Sequence, residues 1–171
     1  MTRAGATTMG VNAMTTSTTT TIIRGHDEGE ATWFLNTLTT KVLGMAETGR
    51  AYGITEQWVT AASNPPLHRH EGEDEAFYVL DGEVEVEVDG QVSSVTTGAL
   101  AFVPRGAVHT YRVVSPTARL LVITSGKPAD NLEDFFFAMG DPAEARVVPE
   151  PAAPDMDRLV ALAARSGIEF V

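Results

Sequence analysis

PLHRHEGEDEAFYVLDG, residues 66–82, is the stretch whose side-chain pattern decides the fold. Side chains at positions i and i+2 of a β-strand point to the same side, so His68 and His70 project together. Glu75 begins the next strand after a short acidic turn, and its carboxylate can reach toward the same point. Two imidazoles and one carboxylate that converge in this way are donors of a metal site. The alternative interpretation is that each histidine is an ordinary surface or core residue.

The sequence around this stretch predicts short strands separated by turns, which is typical of an all-β barrel or sandwich. Residues 83–88, EVEVEV, alternate strictly, so the valines should face a core and the glutamates should face water. Asp81-Gly82 and Asp89-Gly90, on either side of this strand, are both signals for a two-residue hairpin turn. We therefore expect hairpins before and after it.

Two helices are predicted after the last strand. The first begins at Asp130, because Asp130 and Glu133 have the spacing of a capping box, and the second begins at Asp155. We expect both helices to pack on the outside of the barrel, and we expect core packing rather than a ligand cage for the consecutive phenylalanines. The apolar stripes that would make these contacts are Leu132, Phe135, Phe136 and Met139 in the first helix and Met156, Leu159, Val160 and Ala163 in the second.

Composition limits the classes of function. The 171 residues suffice for one domain with a hydrophobic core, and the net charge of −11 disfavours nucleic acid and anionic membranes as partners. The chain has no cysteine, which excludes disulfides and thiolate sites. No apolar run approaches the ~18 residues of a membrane span, and we expect a cytoplasmic protein. The chain divides into a Thr-rich leader expected to be disordered (1–25), a barrel (26–127) and a helical extension (128–171).

A third histidine adds to the metal interpretation. Gly98, Pro104 and Gly106 mark a strand and a turn that would return His109 to the barrel interior. Imidazole and carboxylate donors suit one divalent transition metal, which can be Ni, Co, Mn, Fe, Cu or Zn, and ligand type does not choose among them. His26 shows no pattern of partners and is expected at the surface. The other acidic residues of the turn are expected in a solvated loop; they are Glu71, Glu73 and Asp74.

Two segments, the one around His68, His70 and Glu75 and the one from Gly98 to Val113, resemble the paired motifs of the cupin superfamily. The first motif is G-x5-H-x-H-x3-4-E-x6-G and the second is G-x5-P-x-G-x2-H-x3-N. Ala62 replaces the leading glycine of the first motif, and Val113 replaces the final asparagine of the second. The positions that match are His68, His70, Glu75, Gly82, Gly98, Pro104, Gly106 and His109. The resemblance implies a double-stranded β-helix (jelly-roll) barrel that holds one metal ion through His68, His70, Glu75 and His109.

From about residue 31 to the end, the chain is similar to single-domain cupins of the quercetin 2,3-dioxygenase type. That resemblance implies a metal-dependent dioxygenase that opens the heterocyclic ring of a flavonol such as quercetin, with O2 insertion and release of carbon monoxide. The partners would be a small aromatic or polyphenolic substrate and O2. Glu75 would then be the catalytic base as well as a ligand. Single-domain cupins commonly dimerise, so a homodimer is expected.

Strand alternation also predicts a substrate pocket. Phe77 and Val79 share the face of Glu75, while Tyr111 and Val113 share the face of His109, so these four side chains would form its wall. The alternative is that they only fill the barrel. Two other functions stay open for the site: a redox-neutral cupin isomerase or polyketide cyclase, and a non-catalytic small-molecule-binding cupin.

Overall fold

The computed structural model describes residues 21–126 and 131–171, which form two antiparallel sheets, a short 3-10 helix (Met45–Thr48) and two α-helices. The first ten strands are β1 (Ala31–Phe34), β2 (Thr37–Leu43), β3 (Tyr52–Thr60), β4 (His68–His70), β5 (Glu73–Asp81), β6 (Glu83–Val88), β7 (Gln91–Thr96), β8 (Leu100–Val103), β9 (His109–Val113) and β10 (Thr117–Gly126). They are followed by α1 (Leu132–Met139), β11 (Asp141–Pro142), α2 (Met156–Arg165) and β12 (Ile168–Phe170).

The strands form a seven-stranded sheet in the order β11-β1-β2-β3-β10-β5-β8 and a five-stranded sheet in the order β12-β4-β9-β6-β7. Alternate side chains of both sheets point inward and build one apolar core, as the period of two requires. Its fully buried members include Val59, Val79, Val84, Ala118 and Leu120. The predicted all-β jelly-roll barrel with two C-terminal helices is confirmed.

Strand β6 has the alternation that the sequence predicts. Val84 and Val86 are buried, whereas the glutamates that alternate with them lie on the outer side. Asp89 and Gly90 adopt φ values of 48° and 79° and connect β6 to β7, with Val88 opposite Gln91. Two consecutive positive φ values are those of a type I′ turn, so this hairpin is confirmed.

The prediction for Asp81-Gly82 was wrong, because this turn does not make a hairpin. Strand β5 pairs with β10 and β8, while β6 pairs with β7 and β9, so the chain changes sheets at Gly82. Gly82 has a φ of 85°, and a Cβ there would lie 2.5 Å from the carbonyl oxygen of Thr117. The glycine is required by this close approach between two sheets, which sequence distance does not reveal.

Helix α1 begins with a different cap from the predicted one. Asn131 is the N-cap, and its Oδ1 accepts a hydrogen bond from the main-chain N–H of Asp134 at 3.0 Å. Glu133 does not act in a capping box here; its Oε2 accepts a hydrogen bond from the N–H of Met45 at 2.8 Å. Asp130, the predicted first residue, lies outside the described residues.

The phenylalanines of α1 pack in the core, as expected. The ring centroids of Phe135 and Phe136 lie 5.3 and 4.8 Å from that of Phe34 on β1. Phe137, the third of the run, packs beneath the Lys41 ammonium, 4.2 Å from its ring centroid. Helix α1 is thereby attached to the edge of the seven-stranded sheet.

Helix α2 begins at the predicted position. Asp155 is its N-cap and accepts a hydrogen bond from the main-chain N–H of Arg158. Only half of its expected stripe is buried: Leu159 and Ala163 pack inward, while Met156 and Val160 are exposed. Strand β12 follows α2 and pairs with β4, which carries two of the histidines. The C-terminal extension therefore adds a strand to the barrel as well as helices to its outside.

Most of the predicted leader, residues 1–20, lies outside the described residues. Arg24, near its end, donates to the carbonyl of Val42 at 2.7 Å and forms a bidentate ion pair with Glu47. This pair holds the pKa of Glu47 down at about 2. Over residues 21–126 and 131–171, no helix has both the length and the apolar character needed to cross a membrane.

Candidate metal centre

The structure brings the four sequence-predicted donors together inside the barrel. His68 and His70 lie on β4, Glu75 lies on β5, and His109 lies on β9 directly opposite His68. One donor atom from each residue lies within 4.8 Å of all the others. His70, Glu75 and His109 are buried and His68 is partly buried, so the cluster is sheltered from bulk water.

Hydrogen bonds orient two of the imidazole rings. Nδ1 of His68 lies 2.8 Å from the carbonyl oxygen of Pro66, and Nδ1 of His109 lies 3.0 Å from that of Ala107. A carbonyl oxygen accepts only, so Nδ1 carries the proton in both rings when they are neutral. The lone pair of Nε2 in each ring is then free to bind a metal ion.

The Nε2 atoms of the two most buried histidines converge on one carboxylate oxygen. Oε2 of Glu75 is 3.0 Å from Nε2 of His109 and 3.3 Å from Nε2 of His70. Both nitrogens of His70 are buried without a hydrogen bond of good geometry in the described part of the chain, so its contact with Glu75 is an electrostatic one. A buried imidazole nitrogen that faces a carboxylate without a hydrogen bond fits a ligand of a shared cation.

The protonation states also suit a cation. Burial, assisted by the neighbouring His109, lowers the pKa of His68 to about 4, so this ring is neutral near pH 7. Burial alone would raise the pKa of Glu75, but the hydrogen bond from His109 and the nearby His70 hold it well below its usual range. Burial likewise opposes the charged form of His109, yet Glu75 raises its pKa. A carboxylate among imidazoles could hold a divalent metal ion, and the residues present fit that group.

A small cavity adjoins the cluster. It measures ≈ 50 Å³ and is lined by Gln57, Pro65, His68, Glu75, Phe77, Tyr111, Leu132 and Phe136. A second cavity of the same volume shares His68 and Phe136 with it and extends toward Phe170. A larger cavity of ≈ 550 Å³ lies between β7 and β8, away from the four donors.

The four predicted wall residues differ in their positions. Phe77 and Tyr111 line the cavity beside Glu75, and their rings contact each other edge to face at 5.7 Å. Val79 and Val113 do not line that cavity and pack in the apolar core. The replacement of the motif's final asparagine by Val113 therefore falls on a packing position, 8% exposed.

Sequence reasoning missed four residues that line this cavity, which are Gln57, Pro65, Leu132 and Phe136. Gln57 points inward from β3, where its alternation with Thr55 and Val59 was a usable signal. Leu132 and Phe136 come from α1, which lies far away in the chain. Helical periodicity predicts that these two are buried but does not reveal which part of the barrel they cover.

The expectation of a solvated acidic loop was wrong for Glu73. Glu73 is 2% exposed, lies two residues before Glu75 on β5 and therefore points to the same interior face. Its Oε2 accepts a hydrogen bond from the N–H of Leu132 at 2.7 Å. Burial raises the pKa of Glu73 to about 7. Asp74 points outward and is paired with Arg105, which lowers the pKa of Asp74 to about 2.

Comparison with known proteins identifies relatives of this arrangement. Residues 58–124 match the family described as Cupin domain. A quercetin 2,3-dioxygenase from Bacillus subtilis is 36% identical over 112 residues, which are 61% of this chain but only 32% of that relative. The chain thus spans about a third of the length of the curated relative.

Two solved structures extend the comparison. A polyketide cyclase from Streptomyces resistomycificus is 26% identical with a TM-score of 0.53, and the match covers 63% of this chain and 81% of that one. An RmlC-like cupin from Shewanella frigidimarina is 18% identical with a TM-score of 0.54, covering 64% and 95%. The second similarity supports the fold alone.

Proposed function

Because residues 58–124 match the Cupin domain family, we propose that the chain is a cupin and a metal-dependent dioxygenase that opens the heterocyclic ring of a flavonol such as quercetin. The observation that carries the proposal is the buried cluster of three histidines and one glutamate in a chain similar to a quercetin 2,3-dioxygenase. In the proposed reaction O2 is inserted into the flavonol, one carbon of the heterocyclic ring leaves as carbon monoxide, and the rest of the molecule is released as a depside.

We propose His68, His70, Glu75 and His109 as the ligands of one divalent transition metal. Bound there, the metal would supply Lewis acidity and open positions for the substrate oxygen and O2. The main-chain carbonyls behind His68 and His109 hold these rings so that Nε2 faces the centre. The interior location excludes bulk water, which strengthens the electrostatic interactions within the cluster.

Glu75 is the proposed base. Its carboxylate is ionised at rest, since its pKa is held low by His109 and His70. When the flavonol enters, Glu75 accepts the proton of the 3-hydroxyl group, a transfer that requires a carboxylate oxygen within about 3 Å of the hydroxyl. The 3.0 Å approach of Oε2 to Nε2 of His109 places the carboxylate beside the cavity that Phe77 and Tyr111 line.

The size of the cavity bears on how a flavonol would enter. Pockets that bind small molecules as large as a flavonol measure about 300–1,000 Å³. The two cavities beside His68 are only ≈ 50 Å³ each. Leu132 and Phe136 line both of them. Substrate binding therefore requires these α1 side chains to move, so that the two cavities merge into one aromatic-lined site.

A second candidate function is a redox-neutral one. The 26% identity with a polyketide cyclase, over 63% of this chain, favours a cyclase or isomerase in which Glu75 shuttles a proton without O2. The third candidate is a non-catalytic small-molecule-binding cupin. The three functions use the same cavity and differ in what is consumed there.

One experiment separates them. The purified full chain is analysed for metal, loaded in turn with the candidate ions, and mixed with a panel of flavonols with and without O2. We expect loss of the long-wavelength flavonol absorbance, with carbon monoxide formed, only when O2 is present. Turnover of a polyketide-like substrate without O2 would establish the cyclase, and tight flavonol binding without any product would establish the binding protein. Failure of every flavonol to react with the metal-loaded protein would contradict the dioxygenase.

We also propose a homodimer formed through the outer face of the seven-stranded sheet. One row across this face contains Leu121 opposite Tyr78, which is opposite Leu100. The next row contains Ile123, Ala76 and Phe102, with Ile54 beyond Ile123. The outer face of an antiparallel sheet is normally polar, yet Leu100 and Phe102 are 55% and 59% exposed.

Charge favours a second copy as the occupant of this face. The acidic side chains beside the apolar rows are neutralised within the chain, Glu56 by Arg119 and Asp74 by Arg105. A chain of net charge −11 repels its own copies elsewhere, so self-association needs a neutral surface. A two-fold axis places the same apolar patch on both sides of the interface.

The Phe102→Glu variant is expected to weaken the dimer at least ~10-fold, because an exposed aromatic anchor is lost and two carboxylates are brought together across the axis. Sedimentation velocity over a range of concentrations measures this change. Val92→Glu is the matched control, since Val92 is 57% exposed on the other sheet. A monomeric wild type, or equal dimerisation of the two variants, would rule out this interface.

A cytoplasmic location is also proposed and rests on the sequence pattern alone.

A further inference from the structure

We propose that Glu73 is a positioning residue of the metal centre, whose Oε1 accepts a hydrogen bond from Nδ1–H of His70, directly or through one water. This bond would hold Nε2 of His70 toward the ion. The inference rests on the proposed metal site and is independent of which reaction the site performs.

The three histidines differ in what supports them from behind. His68 and His109 each have Nδ1 within 3.0 Å of a main-chain carbonyl two residues earlier, at Pro66 and Ala107. Nδ1 of His70 is buried and has no hydrogen-bond partner among the described residues. A histidine that ligates a metal through one nitrogen almost always donates the other N–H to a carboxylate, a carbonyl or a water. His70 therefore lacks an acceptor that the other two rings have.

Glu73 supplies the matching acceptor. Its Oε1 is buried and, within the described part of the chain, also has no hydrogen-bond partner. Glu73 follows His70 by three residues across the turn from β4 to β5. It shares the interior face of Glu75, whose Oε2 lies 3.3 Å from Nε2 of His70. A buried donor and a buried acceptor that are both unsatisfied and close together are expected to pair, by a small side-chain rotation or through an ordered water.

The other oxygen of Glu73, Oε2, connects the proposed contact with His70 to helix α1. Oε2 accepts the 2.7 Å hydrogen bond from Leu132 N–H at the start of α1, and Leu132 lines the cavity beside His68 and Glu75. The carboxylate thus stands between a metal ligand and the helix that covers the substrate cavity. A carboxylate behind an imidazole fixes its tautomer and raises the basicity of the ligating nitrogen.

The test uses Glu73→Gln in the full chain. The amide oxygen can still accept from Leu132 N–H, but the NH2 group that then faces His70 cannot accept from Nδ1–H. We expect metal affinity to fall about 10- to 100-fold, measured by competition with a chelator, and the visible spectrum of the cobalt-loaded protein to change. The melting temperature of the metal-free protein should stay close to that of wild type.

Two matched variants isolate the effect. Glu133→Gln changes another buried carboxyl that accepts a main-chain hydrogen bond, from Met45, and perturbs the attachment of α1 without touching His70. Asp74→Asn removes the adjacent negative charge of β5 on the outer face. Both should bind metal as wild type does. Equal losses of affinity in Glu73→Gln and Glu133→Gln, or an unchanged affinity in Glu73→Gln, would overturn the proposal.

A measurement on the wild type covers the case in which Glu73→Gln does not fold. In the zinc-loaded, 15N-histidine-labelled protein, the Nδ1–H of His70 should give a resonance protected from exchange, as should those of His68 and His109, which face main-chain carbonyls. Rapid exchange at His70 alone would refute the role of Glu73. If the protein binds metal but no flavonol reacts, the dioxygenase fails while this inference stands; if the protein binds no metal, both fail.

Discussion

Replacing Glu75 by glutamine is expected to lower turnover at least ~10²-fold, even in protein reloaded with metal to wild-type occupancy. The amide can still coordinate through its oxygen, but it cannot accept a proton. The variant also removes the buried carboxylate whose Oε2 lies 3.0 Å from His109 and 3.3 Å from His70. Metal binding is expected to weaken as well, so occupancy has to be matched before rates are compared.

The informative measurement is a single-turnover rate at equal metal content for wild type, Glu75→Gln and Glu71→Gln. Glu71 is an exposed carboxylate of the same turn, and its replacement should change neither rate nor affinity. If the fully metallated Glu75→Gln protein reacts at the wild-type rate, Glu75 has no part in proton transfer and is at most a ligand.

The second large effect is expected from His109→Ala, which should abolish metal retention and activity while the barrel still folds. His109 is 1% exposed and is hydrogen-bonded to Glu75, so the variant loses one of four donors and the main partner that keeps Glu75 ionised. The pKa of Glu75 should then rise toward its ordinary value. His68→Ala and His70→Ala should likewise lose the metal.

The fold is expected to survive because its core is apolar and continuous, and the metal is an addition to it. Metal content, circular dichroism and thermal unfolding check this together, with His26→Ala at the exposed surface as the control. A cooperative unfolding transition should persist in each variant. Loss of that transition in His109→Ala would mean that the cluster is required for folding, in the manner of a zinc finger.

Local rules account for much of what could be predicted from the sequence. The i, i+2 geometry of a strand placed His68 and His70 on one side, and two positive φ angles at Asp89-Gly90 made the predicted hairpin. The same rules failed where a distant segment intervened. Asp81-Gly82 has the same two residue types as Asp89-Gly90. At Gly82, however, the chain passes close to Thr117 and crosses from one sheet to the other.

The proposed substrate pocket also contains features that local rules predict and features that they miss. Alternation predicted that Phe77 and Val79 face the interior, and both are buried. Only Phe77 reaches the cavity beside Glu75, since the cavity occupies one end of the interior and strand period carries no information about depth. Leu132 and Phe136 complete it from α1, whose docking on β1 depends on ring contacts with Phe34.

By itself, the sequence determined the all-β class and the strand on which two histidines share one face, because spacing along a strand is a local property. The full set of four donors followed from the resemblance to the cupin motifs. Tertiary structure alone decided what Glu73 contacts: Leu132, 59 positions away, brings a helix N-terminus to its carboxylate. It also decided how much space remains beside the donors. Burial and free volume depend on which segments pack together, and that is a property of the whole fold.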